Sequence, residues 1–219
     1  MTQSSALFSS ALALLRQTQH GVLATQSLVL PGYPHASWLP FILDEAGRIV
    51  LVISRLAEHT QNVLLDEKVS FLVHEPSATL SGARLTILGD LQPVPDDPLL
   101  VARLARQNPQ LASYLAMADF SVWRLWPRRA RYIAGFGKMG WIAGEEWQTA
   151  AQLSLADEAA LIQSTQQPEG CELIGVDWAG CDVRRNGRLE RHILHCDCFD
   201  LAALRVAIDS VIRDAVIRA

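Results

Sequence analysis

The chain has 219 residues, with 19 Lys plus Arg against 23 Asp plus Glu, a net charge of −4, and half of its residues hydrophobic. That length supports one large domain or two small ones with a self-sufficient core, and the composition excludes disorder, coiled coil and low complexity. The acidic balance argues against a general nucleic-acid binder. The charged share of 19% is below the usual ~25% and points to surface that is buried again in an oligomer.

The apolar stretch at 11–15 has no Lys or Arg before it and closes on Arg16, so it does not read as a leader peptide. Leu7, Phe8, Ala11, Leu12 and Leu15 instead recur at helical spacing, and Gly21 stops that helix. Strands follow at 22–28 and 36–43, separated by the turn Pro31-Gly32-Tyr33-Pro34, and a third runs over 48–53. The run Ile49-Val50-Leu51-Val52-Ile53 is far shorter than the ~20 residues that span a bilayer. No membrane span is expected, and the expected compartment is the cytoplasm, where thiols stay reduced. A short helix at 58–66 leads to strands at 69–74 and 84–91. Asp97 and Pro98 read as a capped helix start, a second short helix covers 110–117, and strands at 120–126 and 129–136 close this part.

Five to seven strands joined by short turns predict an antiparallel barrel with helical decorations, because a doubly wound sheet would need a helix between nearly every strand pair. The pattern changes near Ile142, which divides the chain into a barrel domain at 1–145 and a small α+β domain at 150–219. The second domain reads as a helix at 156–166, strands at 173–178, 182–185 and 188–196, and a last helix capped by Asp200. Asn186-Gly187 predicts a type I′ hairpin between the last two strands. Cys171, Cys181, Cys196 and Cys198 lack zinc-knuckle spacing, so they read as buried thiols with no metal.

Three segments carry candidate chemistry. Ser54 and Arg55 end an apolar strand just before a helix whose first turn holds His59 and Thr60. Free N–H groups at a helix start and a bidentate guanidinium together suit a phosphate. In Arg84-Leu85-Thr86-Ile87, strand alternation sends Leu85 and Ile87 into the barrel and Arg84 to its outer wall. In the segment 129–141, Gly135, Gly137 and Gly140 permit close backbone approach, but they do not form a dinucleotide fingerprint. Neither a nucleophile elbow, nor a zincin motif, nor a Walker loop is present, and no catalytic acid or base stands out.

Four stretches resemble one family. His20-Gly21-Val22-Leu23-Ala24-Thr25, Ser37-Trp38-Leu39-Pro40-Phe41, the run from Ser54 to Asn62 and Arg131-Tyr132-Ile133-Ala134-Gly135-Phe136-Gly137 are similar to the split-barrel FMN-binding proteins related to pyridoxamine 5′-phosphate oxidase. The nearest branch is the haem-utilisation proteins, which append a small C-terminal α+β domain. The resemblance implies a homodimer with FMN or haem at the subunit interface. It puts Ser37, Trp38 and Leu39 along the cofactor ring, Ser54, Arg55, His59 and Thr60 at the phosphate, and Arg84 beside them. Residues near Trp126, Arg131 and Trp141 would come from the partner subunit. That branch opens its C-terminal domain with a His-rich stretch, whereas 160–167 here contains no histidine.

Haem iron needs an axial donor, which leaves His192, His195 and His59 to supply one. The sequence therefore ranks FMN ahead of haem. The main expectation is an FMN-dependent oxidoreductase of unassigned substrate, the alternative a haem-handling protein, and a further alternative a non-catalytic barrel dimer.

Overall fold

The computed structural model describes residues 3–75, 82–134, 138–194 and 200–217. In chain order the elements begin with α1 (Gln3–Gln17), β1 (His20–Gln26), β2 (Pro34–Pro40), β3 (Ile42–Leu43) and β4 (Ile49–Ser54). They continue with α2 (Glu58–Leu65), β5 (Lys68–His74), β6 (Arg84–Pro93), α3 (Pro98–Gln107), α4 (Pro109–Tyr114), β7 (Phe120–Ile133) and β8 (Met139–Ala143). The rest comprises α5 (Glu145–Thr149), α6 (Leu155–Ser164), β9 (Cys171–Asp177), β10 (Gly180–Arg185), β11 (Arg188–Ile193) and α7 (Leu201–Ile217). The chain divides into two compact units, Met1–Asp96 with Gln110–Ala150, and Asp97–Pro109 with Ala151–Ala219. Among the described residues no helix is long and apolar enough to cross a membrane.

The first unit is an antiparallel sheet in the order β2-β1-β5-β6-β7-β4-β3, with β8 also paired to β7. The fold class read from the sequence, a split barrel with helices and a small second α+β unit, is the one observed. Strand alternation builds the core. Leu23, Phe71, Ile87, Ala130 and Ile142 are successive ladder partners across five strands, and each is at most 1% exposed. Phe8, Ala11 and Leu15 of α1 join that core, and each fully buried Leu, Ile or Phe contributes roughly 1.5–3 kcal/mol. Trp147 of α5 meets Phe8 edge-on at 4.9 Å and donates its indole N–H to the Gly47 carbonyl at 3.3 Å.

The strands depart from the sequence reading in three places. β7 is continuous where two strands were expected around Pro127. The ladder slips between Leu88 and Gly89, so Gly89 faces Pro127 and Leu88 faces Arg129. Arg128 is the extra residue of a bulge on β7 next to Pro127, which has no N–H to give the ladder. Only glycine fits opposite, because a Cβ at 89 would lie 2.2 Å from the Trp126 carbonyl oxygen. Pro40 splits the expected strand at 36–43 into β2 and β3, and the Phe41 N–H turns to the Gln19 carbonyl instead. β8 was not foreseen, since its five residues are too few to display a period.

The second unit is a three-stranded sheet in the order β11-β10-β9. Its core takes Leu173, Val176, Cys181 and Val183 from the sheet and Leu204, Ile208 and Ile212 from α7. α3 belongs to this unit, meeting α6 and β9. Asp97 caps α3 by accepting from the N–H groups of Leu99 and Leu100, and Asp200 caps α7 through Ala202 and Ala203, as the sequence predicts. Asn186 and Gly187 both have positive φ, at 48° and 79°, the type I′ signature. Cys171 and Cys181 are free and buried, whereas Cys196, Cys198 and His195 lie outside the described residues. So does the segment 135–137 with its two glycines.

Candidate cofactor-binding face

Because Leu85 and Ile87 point inward, Arg84 and Thr86 must point outward, as the sequence predicts for Arg84. The register extends that logic across six strands. Trp38, Val22, Leu72, Thr86, Arg131 and Trp141 are successive ladder partners and lie in one row on the outer face. Two residues along, Leu88 and Arg129 share the same face, and on the other side His74, Arg84, Ile133 and Met139 form a third row.

This face is unusually apolar for surface. Trp38 is 68% exposed and Trp141 46%, and Leu72, Leu88 and Met139 are also exposed. It is also cationic. The guanidinium of Arg129 stacks 3.8 Å from the Trp141 ring centroid and that of Arg131 lies 5.3 Å away. Arg84, Arg129 and Arg131 take no acidic partner among the described residues, in contrast to Arg128, which pairs with Asp90 at 2.6 Å. A flat apolar wall bordered by unpaired guanidinium groups suits a planar ligand that carries anionic groups.

A second polar group lies around α2. Ser37 belongs to the inward row with Leu23, and its hydroxyl lies 3.2 Å from both His35 Nε2 and His59 Nδ1. His35 Nδ1 lies 3.2 Å from Glu58 Oε1. The His59 Nε2 is buried without a partner, and burial, aided by neighbouring His35, holds its pKa below the usual value. Thr60 is 1% exposed and its hydroxyl is likewise unpartnered. Ser54 donates its hydroxyl to the Asp119 carboxylate and accepts from the Leu56 N–H at 3.0 Å. The exposed Arg55 donates its backbone N–H to the Asp119 carbonyl at 2.7 Å.

The residues singled out in the sequence therefore fall into two groups. Trp38, Arg84, Arg131 and Trp141 share the outer face, whereas Ser37, Ser54, Arg55, His59 and Thr60 gather at the ends of β2, β4 and α2. Leu39 packs against the core. No hydrogen bond or ion pair among the described residues joins the two groups. Sequence reasoning missed Asp119, which lies 65 residues from Ser54 with no local signal. It also passed over Arg129 and His74, which strand parity with Arg131 and Leu72 would have placed on the same face. Trp126 stands apart, in a cleft beside Arg48, Gln92 and Arg128. The Arg48 guanidinium lies 4.3 Å over its ring. There the buried Asp44 carboxylate balances Arg48 at 2.7 Å and Arg124 at 2.8 Å, so the cleft offers no surplus positive charge.

Comparison with known proteins agrees with this architecture. The chain is 32% identical over 150 residues to the chloroplastic non-canonical heme oxygenase HOZ of Arabidopsis thaliana, a match covering 66% of this chain. It spans 46% of that relative's length. It is 27% identical over 124 residues to the heme oxygenase HutZ of Vibrio cholerae, covering 52% of this chain and 70% of that one. A crystal structure of an Agrobacterium tumefaciens protein of unknown function superposes with a TM-score of 0.74 at 18% identity, over 96% of this chain and 98% of the other. Residues 9–134 match the family model described as pyridoxamine 5′-phosphate oxidase. Strands β1 to β7 and α2 fall within that match, whereas β8 with Met139 and Trp141 lies beyond it, and the chain belongs to the pyridoxamine 5′-phosphate oxidase family.

Proposed function

We propose that the protein binds haem on the outer face of its barrel, as a homodimer, in the service of haem utilisation. The observation that carries this reading is the combination of exposed Trp38, Leu72, Leu88 and Trp141 with Arg84, Arg129 and Arg131, which have no acidic partners among the described residues. Haem is a flat apolar macrocycle with two separate carboxylates, and it fits such a wall. The arginines on β6 and β7 would take the propionates, and Trp141 and the leucines would cover the ring. When bound, the iron porphyrin supplies a redox-active iron. The names of the Arabidopsis and Vibrio relatives favour the same ligand.

This proposal ranks haem ahead of FMN, the reverse of the order expected from the sequence. An FMN phosphate would draw on Ser54, Arg55, His59 and Thr60. The Ser54 hydroxyl is spent on Asp119, and that of Thr60 is buried. Two acids belong to the same group of residues, Asp119 on the Ser54 hydroxyl and Glu58 in the first turn of α2, and they would oppose a dianion there. Arg55 alone keeps an exposed cationic group there.

A second copy of the chain is the natural cover for the rest of the face, since aromatic side chains and Arg are enriched in interfaces and a two-fold dimer is the commonest closed assembly. The test is titration with haemin, followed by absorbance, on the wild type and on Arg84→Ala/Arg131→Ala. A hydrogen bond to a charged group contributes roughly 1.5–3 kcal/mol, so haem affinity falls at least about tenfold in the double variant. Unchanged haem affinity in that variant, or tight FMN uptake by a protein that ignores haemin, would overturn the proposal.

A further inference from the structure

A haem held on this face needs an iron donor from the protein, and the stretch 160–167 has no histidine to give. The environments of the histidines differ sharply. His35 uses both ring nitrogens, on Glu58 and Ser37. His59 is half-buried in the first turn of α2, and its Nε2 is shut away from solvent. His192 Nε2 is buried too, 3.7 Å from a Glu190 oxygen, and belongs to the second unit. His20 is on the outer face, where it stacks flat on Trp38 at 4.3 Å, but no hydrogen bond among the described residues selects its tautomer.

His74 is different on each count. It is exposed, and its register partner is Arg84, which places it in the row beside Thr86 and Arg131. Its Nδ1 is hydrogen-bonded to the Glu75 carbonyl oxygen. A carbonyl can only accept, so Nδ1 must carry the proton and the neutral ring keeps its free lone pair on Nε2. Metal-ligating histidines characteristically donate their other ring N–H to such an acceptor, which fixes the ring and raises its basicity. Glu75 is itself anchored. Its N–H donates to the Ala83 carbonyl at 2.8 Å and its carboxylate accepts from the Ala83 N–H at 3.1 Å.

We infer that His74 is the axial iron ligand of this protein, presenting Nε2 to a haem whose propionates reach the neighbouring arginines. Cross-strand partners stand about 5 Å apart, and successive residues on one face about 7 Å. His74 and Arg131, two strands and two residues apart, are thus separated by about 12 Å at the backbone, with Arg84 between them. The inference rests on the haem reading above and adds the donor to it.

The experiment reconstitutes the full chain with haemin and records the absorbance spectrum and, after reduction, the iron–imidazole stretching band by resonance Raman. The wild type should take up haem and show the band. His74→Ala should lose the band while still taking up haem, and His74→Gly should regain it with added imidazole. His20→Ala and His192→Ala should keep it. Because His74 is exposed, far-ultraviolet circular dichroism of the variants should match the wild type. If the wild type binds haem but His74→Ala keeps the band, or if the band is absent from the loaded wild type, the ligand assignment is overturned and haem binding stands. If the wild type takes up no haem, both fall together.

Discussion

Removing the Glu158 carboxylate should cost the second unit much of its stability. The side chain is fully buried, and one oxygen lies 2.5 Å from Arg103 Nη1 and 3.3 Å from Arg106 Nη2. The other accepts from the Val176 N–H at 3.0 Å. Glu158→Ala therefore takes the carboxylate away from a guanidinium whose side chain is 7% exposed, and leaves the buried Val176 N–H without its acceptor. Breaking a buried ion pair from one side costs about 3–5 kcal/mol, and an orphaned buried N–H costs about 1–3. The two share one carboxylate and do not add in full, so a loss of about 4 kcal/mol is expected. Lys68→Ala serves as the contrast. Its pair with Asp66 is formed by side chains 78% and 39% exposed, and such solvent-screened surface pairs contribute little to stability. Urea unfolding followed through Trp178, the only tryptophan outside the first unit, reads the effect directly. Glu158→Gln should fall between the two, since its amide oxygen still accepts from Val176 while the charge is gone. A midpoint for Glu158→Ala within error of that for Lys68→Ala would refute the reasoning.

Two further outcomes follow from burial. His59 has its pKa lowered below 6.5, first by burial and then by His35, so below that value the unfolded chain binds the proton more readily than the folded one. The stability this group contributes is present above pH 6.5 and is lost as pH falls toward its lowered folded value. Between about pH 7.5 and about pH 5, the wild type should therefore lose more melting temperature than His59→Gln, and parallel curves for the two proteins would contradict this. The Cys181 thiol, buried and close to Asp182, is pushed up to about 12. Since the thiolate is the reactive form, Cys181 should resist iodoacetamide in the native protein at about pH 8 and react once urea is added. Equal labelling in both states, read by peptide mass spectrometry, would count against that environment.

How much of this was legible in the sequence depends on how far apart the interacting residues lie. Features set by neighbours could be read directly. The Asp97 and Asp200 caps, the Asn186-Gly187 hairpin and the inward Leu85 and Ile87 with outward Arg84 each need only a few residues of context, because capping, positive φ and strand alternation are local. Motif resemblance then supplied the barrel class, which periodicity only suggested.

What required the tertiary structure was long-range pairing. Pro127 looks like a strand end until Gly89, on another strand, pairs with it beside the bulge that carries β7 onward. Ser54 looks free for a phosphate until Asp119 arrives beside it. α3 reads as a decoration of the barrel until its packing on α6 and β9 places it in the second unit. The outer face is the clearest case. Trp38, Leu72, Arg131 and Trp141 are spread over about a hundred residues of sequence, and only the ladder register sets them in one row. Side-chain parity says which way each points, but which strand lies beside which is decided by how the whole sheet buries its inner face.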